Sequence, residues 1–204
     1  MTEPIPTFPR PSVPRAFMGV ILACVAVQLL MLVPAWDEWG MLHGALWPQL
    51  FQNVRPMFPG QQVTMFLTYG FLHGGLLHLG MNMLALYVLA RSLSLAMSGA
   101  AMVALYVVAQ VAAGAVQLWL SDSPLPVVGA SGAIFGLAGA EIAIAARIQL
   151  GKGGSLRPLM GPVLQFVLLN VLLTLAVPNI AWQAHLGGAV AGLVMGLLYR
   201  PHRR

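Results

Sequence analysis

Charge is what this chain has least of. Ten basic and five acidic residues make up 7% of its 204 residues, where a soluble globular domain carries about a quarter. That scarcity excludes an ordinary soluble domain. Cysteine is nearly absent too: Cys24 is the single one, so no intramolecular disulfide framework exists. No Ala-x-Ala site ends the first apolar run, which starts near Ala16 after a proline-rich head (Pro4, Pro6, Pro9, Pro11, Pro14), so a cleavable signal peptide is not expected. Internal repeats and low-complexity tracts are missing. What is abundant is apolar surface: 59% of residues are hydrophobic and the mean hydropathy is +0.83. The class is a polytopic membrane protein, an integral partner of the lipid bilayer. Its length suffices for one domain of several spanning helices, each needing about 20 apolar residues. The pI near 10.2 would fit a nucleic-acid partner, but the basic residues form no single patch, and none is expected.

Six apolar runs can be drawn, at 16–34, 76–96, 99–120, 130–148, 158–177 and 182–199. Arg10 and Arg15 precede the first and Arg91 ends the second. Arg147, Lys152 and Arg157 lie between the fourth and fifth, and Arg200, Arg203 and Arg204 follow the sixth. Six spans place all of these on one side and leave Arg55 on the other. This positive-inside pattern predicts cytoplasmic termini. The expected architecture is an all-α membrane protein, six transmembrane helices in one compact bundle over residues 1–204, with a cytoplasmic tail at 1–15. A long outer loop, 35–75, carries Trp36, Trp39 and Trp47 and is expected to lie in the membrane interface with short amphipathic helices.

With both ends inside, the second, fourth and sixth helices run inward from the outer face. His78, Ser131 and His185 each fall near the outer end of one of them, at a shared depth. Polar groups inside a membrane usually face the bundle and mark function. Ser131 taken alone reads as a packing residue, and His185 alone as a core histidine bonded to a carbonyl. Together they are a nucleophile and a general base. Gly132 and Gly136 on the fourth helix, and Gly188, Gly192 and Gly196 on the sixth, form two small-residue ridges. If the ridges pack, Ser131 reaches His185. Gly187 lies one position round the helix and is expected to tolerate change better than Gly188.

No acidic residue lies at that depth. Glu141 is about 15 Å further down the fourth helix at 1.5 Å per residue, where Arg91 or Arg147 is the expected partner. The expectation is therefore a Ser–His dyad rather than a triad. His78 and Asn82, four apart, share a helix face and can donate to an oxyanion; the Ser131 N–H at a helix N-terminus is a third donor. Asn82 reads equally as an interhelical glue residue. His73, before the second helix, reads as a structural residue that pins the loop. A zinc site from His73, His78 and His185 lacks a carboxylate or cysteine to complete its shell, so no metal and no cofactor are expected. The serine stretch is not the nucleophile elbow of soluble hydrolases, since Ala133 replaces its last glycine.

Three stretches carry a family resemblance that covers most of the chain. His73-Gly-Gly-Leu-Leu-His78-Leu-Gly-Met-Asn82 resembles the His-x4-His-x3-Asn motif of the rhomboid intramembrane serine proteases. Gly129-Ala-Ser131-Gly132, with the small and aromatic residues up to Gly136, resembles their Gly-x-Ser-Gly. Ala184-His185-Leu-Gly187-Gly188 with Gly192 resembles their Ala-His-x2-Gly-x3-Gly. The resemblance implies Ser131 as nucleophile, His185 as base, and His78, Asn82 and the Ser131 amide as oxyanion hole. It also implies Phe135 as the ring packed near His185, with Gly129, Gly132, Gly188, Gly192 and His73 in support. The compact form is similar to bacterial members, which implies a multi-pass protein of the bacterial inner membrane. The outer loop lacks the Trp-Arg pair of some members.

The function expected is intramembrane serine endopeptidase action on transmembrane protein substrates. The fifth helix, with Pro158 and Pro162 at its start and the turn Pro178-Asn179-Ile180-Ala181 at its end, is the expected moving part. Two other classes were weighed. A proton-relaying transporter calls for ionisable groups at several depths, whereas these share one. A catalytically silent protein that binds transmembrane helices is expected to lack Ser131 or His185, and both are present.

Overall fold

The computed structural model describes residues 11–52, 54–176 and 180–200. Pro4, Pro6, Pro9, Arg10, Pro178, Asn179, Arg203 and Arg204 lie outside the described residues. Among the described residues eight α-helices run in the order α1 (Arg15–Leu30), α2 (Pro34–Gly44), α3 (Gln61–Thr68), α4 (Leu76–Leu93), α5 (Gly99–Leu120), α6 (Ser131–Gly151), α7 (Arg157–Ala176) and α8 (Trp182–Leu198). Short 3-10 turns fall at Pro48–Phe51 and Tyr69–Phe71. Among the described residues there is no strand beyond an isolated Leu46–Val127 bridge.

Each of the six apolar runs contains a helix. Three of them, α4, α5 and α6, are long and apolar enough to cross a membrane; α1, α8 and the stretch Arg157–Leu172 of α7 are shorter apolar helices. The first run stops at Leu30 rather than reaching residue 34. Pro34 cannot extend a helix from behind and instead sits at the start of α2, where its fixed φ is favourable. Helix α5 begins cleanly because the Ser98 hydroxyl caps the Ala101 N–H at 3.3 Å.

Helices α5, α6 and α8 form the tightest part of the bundle. Their facing residues are small: Ala109 and Ala113 on α5, Gly132, Gly136 and Ala140 on α6, Gly188, Gly192 and Gly196 on α8. Without a hydrophobic force between helices in lipid, close backbone approach is what holds such helices together. Helices α1 and α4 close the other flank. Phe17 and Cys24 pack into one core with Leu79, Met83, Leu86, Leu105, Ile134 and Leu137.

The loop between α1 and α4 is folded rather than draped. Gln61 is buried and bridges two segments, donating to the Leu42 carbonyl at 2.6 Å and accepting from the Met57 N–H at 2.7 Å. Trp36, Trp39, His43 and Phe58 form an aromatic row along it. The Gly129 N–H donates to the Tyr69 carbonyl at 2.9 Å. Together with the Leu46–Val127 bridge, this ties the loop to the segment that leads into α6.

The expected Glu141 pairing is corrected. Glu141 accepts a hydrogen bond from the Ser92 hydroxyl of α4, while Arg147 donates to the carbonyls of Gly196 and Tyr199 at the end of α8. Those carbonyls have no partner within their own helix, so a cation near them is held by the helix terminus instead of by a carboxylate.

Helix α7 stands apart. It makes few contacts with the rest of the bundle, and Leu164, Val167, Val171 and Leu175 are exposed along it. Pro162 lies inside it and removes one backbone hydrogen bond.

Candidate active site

Ser131 is the first residue of α6. The turn that delivers it depends on Gly129, whose φ of +127° disfavours any side chain. A Cβ there would also stand 3.0 Å from the His78 ring. Gln110 of α5, almost fully buried, braces this turn from below. Its amide donates to the Gly129 carbonyl at 3.4 Å, and its Oε1 accepts the Ala133 N–H at 3.2 Å. The second bond satisfies one of the four N–H groups that a helix start leaves unpaired. Tyr69 in turn donates to the Gln110 backbone carbonyl at 2.9 Å.

The glycine ridges bring α6 and α8 together directly below this turn. A methyl group added at Gly188 would collide with the Gly132 carbonyl oxygen, and one at Gly192 with that of Gly136. At Gly196 the Ala140 carbonyl oxygen would be 2.7 Å away. Gly187 is less tight than Gly188 but not open: it faces α5, with the Ala112 carbonyl 2.8 Å and Val116 Cβ 2.7 Å from a would-be Cβ. This ordering agrees with the milder effect expected at Gly187, although α8 packs on two helices and not one, so α5 presses on that side as well.

At the top of this contact the Ser131 hydroxyl donates to His185 Nε2 at 2.9 Å. Phe135, one turn down α6, stacks flat on the imidazole, with centroids 4.2 Å apart and planes 7° apart. His185 itself is buried. Its other nitrogen, Nδ1, lies 2.7 Å from Oδ1 of Asn170 on α7. The Ser–His dyad expected from the sequence leaves Asn170 out. The signal available was an amide side chain inside an otherwise apolar run, at a depth close to that of His185.

His78 lies across the turn. Its Nδ1 accepts the Gly74 N–H at 3.2 Å, which assigns the ring proton to Nε2. That Nε2 is on the side of the ring facing Gly129. Asn82 is buried one turn further on, with one amide N–H given to the His78 carbonyl at 2.9 Å, leaving a second N–H. The Ser131 N–H, at the helix start, has no carbonyl of its own helix to bond and sits at the positive end of the helix dipole.

His73 is buried, and its ring stands edge-on to that of His78 at 5.2 Å. Neither of its ring nitrogens finds a hydrogen-bond partner among the described residues. Its ring fills space beside His78. Burial first, then the neighbouring His78, holds its imidazole down at about 4. Among the described residues no group of three or more His, Cys, Asp or Glu is gathered closely enough to hold a metal ion.

The sequence has known relatives. Residues 60–202 match the family described as Rhomboid, the rhomboid domain. The chain is 29% identical over 149 residues to Rhomboid-related protein 3 of Homo sapiens, covering 67% of this chain and 36% of that protein. It is 35% identical over 137 residues to RHOMBOID-like protein 5 of Arabidopsis thaliana, covering 64% and 42%. RHOMBOID-like protein 4 of the same plant is 32% identical over 155 residues, covering 74% and 38%. The matched region spans less than half the length of these relatives.

Proposed function

Because this chain belongs to the rhomboid family, we propose that it is an intramembrane serine endopeptidase cutting transmembrane protein substrates through Ser131 and His185. The observation that carries this reading is the 2.9 Å bond from the Ser131 hydroxyl to His185 Nε2. A nucleophile and a base within hydrogen-bond reach, inside an apolar bundle, are the minimum for acyl transfer.

Ser131 Oγ attacks the scissile carbonyl as its proton passes to His185 Nε2. The negative charge that develops on the carbonyl oxygen is met by the Ser131 N–H, His78 Nε2–H and the free Asn82 N–H. The tetrahedral species collapses, the C–N bond breaks, and His185 gives the proton to the leaving amine. Water then attacks the acyl-Ser131 ester with His185 again as base, and the second product leaves. Phe135 holds the ring plane throughout.

The six-span topology with cytoplasmic termini belongs to this reading. It rests on the arginine distribution and places the site below the outer face, where water must enter. The protein is integral to a membrane, with three helices able to span it. The relatives named above are human and plant proteins, so they lend no support to the bacterial inner membrane expected from the resemblance.

The test is cleavage of a labelled single-span substrate in detergent by the wild type and by Ser131→Ala. Loss of product with Ser131→Ala supports the assignment. Equal product from both, in preparations free of other proteases, removes it. A wild type that binds the substrate and never cuts it identifies a silent helix-binding member of the family.

A further inference from the structure

A Ser–His pair leaves one problem unsolved. An imidazole can carry its proton on either nitrogen, and only the tautomer with Nδ1–H leaves a lone pair on Nε2 for the Ser131 proton. Soluble hydrolases fix the tautomer with a carboxylate or an amide on Nδ1. Among the described residues no acidic one stands here, and a charged one in this apolar surrounding would be costly to bury. Asn170 does stand here, with Oδ1 2.7 Å from His185 Nδ1.

We propose that Asn170 is a positioning residue: it accepts the His185 Nδ1 proton, fixes the base in its working tautomer, and makes that state depend on α7 lying against α6 and α8. This rests on the Ser131–His185 reading. Three observations converge on it. The two bonds of the ring, Asn170 to Nδ1 and Nε2 to Ser131, are short and serve opposite nitrogens. The face of the ring is already fixed by Phe135, so the amide settles the remaining freedom, rotation in the ring plane and proton placement. The neighbouring inward contact of α7 is also to this machinery: Phe166, one turn before Asn170, packs on Phe135 at 4.6 Å. A helix that is otherwise thinly packed thus touches the site at its two supports. A departure of α7 of a few ångströms, as entry of a substrate helix on that side requires, releases both.

The experiment measures the full chain in detergent with two readouts. The first is kcat and KM on a single-span substrate. The second is the rate at which a small fluorophosphonate labels Ser131, which needs the base but no substrate helix. Asn170→Ala is expected to lower kcat and the labelling rate by about 10- to 100-fold, with KM within about twofold. Asn170→Asp accepts the same Nδ1 proton and is expected to recover most of the labelling rate. Its carboxylate also stabilises the imidazolium, so the acid limb of the pH profile moves up. His78 is the titratable neighbour of His185 among the described residues and is unchanged in every variant, so it does not account for that movement. Leu164→Ala, on the exposed face of α7, is expected to match the wild type in both readouts.

Wild-type labelling by Asn170→Ala overturns the proposal. So does equal loss in Asn170→Ala and Asn170→Asp with one shared pH profile, which marks a helix-packing role. If Asn170→Ala also unfolds at lower temperature, Asn170→Asp decides: recovered labelling supports the proposal, and unrecovered labelling overturns it. Cleavage or labelling that persists in Ser131→Ala fails the underlying dyad, an outcome that no Asn170 variant can produce.

Discussion

Gly188→Ala is the smallest change that tests how the bundle sets the site. One methyl group is added on α8, and it points at the carbonyl oxygen of Gly132 on α6. The obstacle is backbone, so no side chain can turn away. A carbon and a carbonyl oxygen settle at about 3.3–3.6 Å, and relieving the collision requires the two helices to part by about 1.5 Å in a close-packed interior. Overpacking of this kind costs about 1–3 kcal/mol, which a bundle also held through α5 should survive. The site should not. Ser131 is on one of these helices and His185 on the other, one turn from the added methyl, and their bond is 2.9 Å long. A misplacement of 1 Å costs about 100-fold in rate.

The assay is cleavage rate beside thermal unfolding in the same detergent, for Gly188→Ala, Gly188→Val and Gly80→Ala. A Cβ at Gly80 meets nothing within 4 Å, so Gly80→Ala adds helix propensity without displacement and is expected to keep full rate. Gly188→Ala should lose about two orders of magnitude in kcat while its unfolding temperature falls modestly, and Gly188→Val should lose nearly all activity. Full activity in Gly188→Val would refute the reasoning, because the α6–α8 contact would then not set the Ser131–His185 distance.

Asn82→Ala should lower kcat by about 10- to 1,000-fold with a smaller change in KM, as loss of one oxyanion donor does; unchanged kcat with poor thermal stability would make Asn82 a packing residue. Gln110→Leu should lower both rate and unfolding temperature, because it leaves the Gly129 carbonyl and the Ala133 N–H without their partner; wild-type values for both would remove the brace. His73 predicts a pH dependence of stability. Its folded imidazole titrates near 4 against 6.5 for a free one, so the unfolded chain takes the proton first, and stability falls as pH drops from about 6.5 to 4. The wild type should therefore lose more unfolding temperature between pH 7.5 and pH 4.5 than His73→Leu does, and equal losses would count against a buried neutral His73.

The three motifs that placed this chain in its family also placed its helices. The expectation of one depth for Ser131, His78 and His185 follows from the order of apolar runs, and each run contains a helix. The glycine ridges added something depth cannot supply, the direction each residue faces. A glycine in a membrane helix is a place where another backbone comes close, so a row of them at intervals of four marks the side turned to a neighbour. Gly188 and Gly192 against Gly132 and Gly136 were legible for that reason. The α5 contact at Gly187 was not, because a ridge on one helix does not reveal that a second helix presses on the adjacent side.

Polar residues inside a span carry no such mark. Gln110, Asn170 and Glu141 each announce that a partner exists, since an unpaired polar group in hydrocarbon is costly, but not which helix supplies it. Gln110 turned out to face the serine turn, and Glu141 a serine in place of an arginine. Asn170 depended on where α7 docks, which its own sequence specifies weakly: its face toward the bundle is as apolar as its face toward lipid. The residue that supports the base is therefore on the helix whose placement the sequence determines least. A base held by such a helix responds to what moves the helix, whereas a carboxylate on α5 or α6 would hold His185 whether or not a substrate were present.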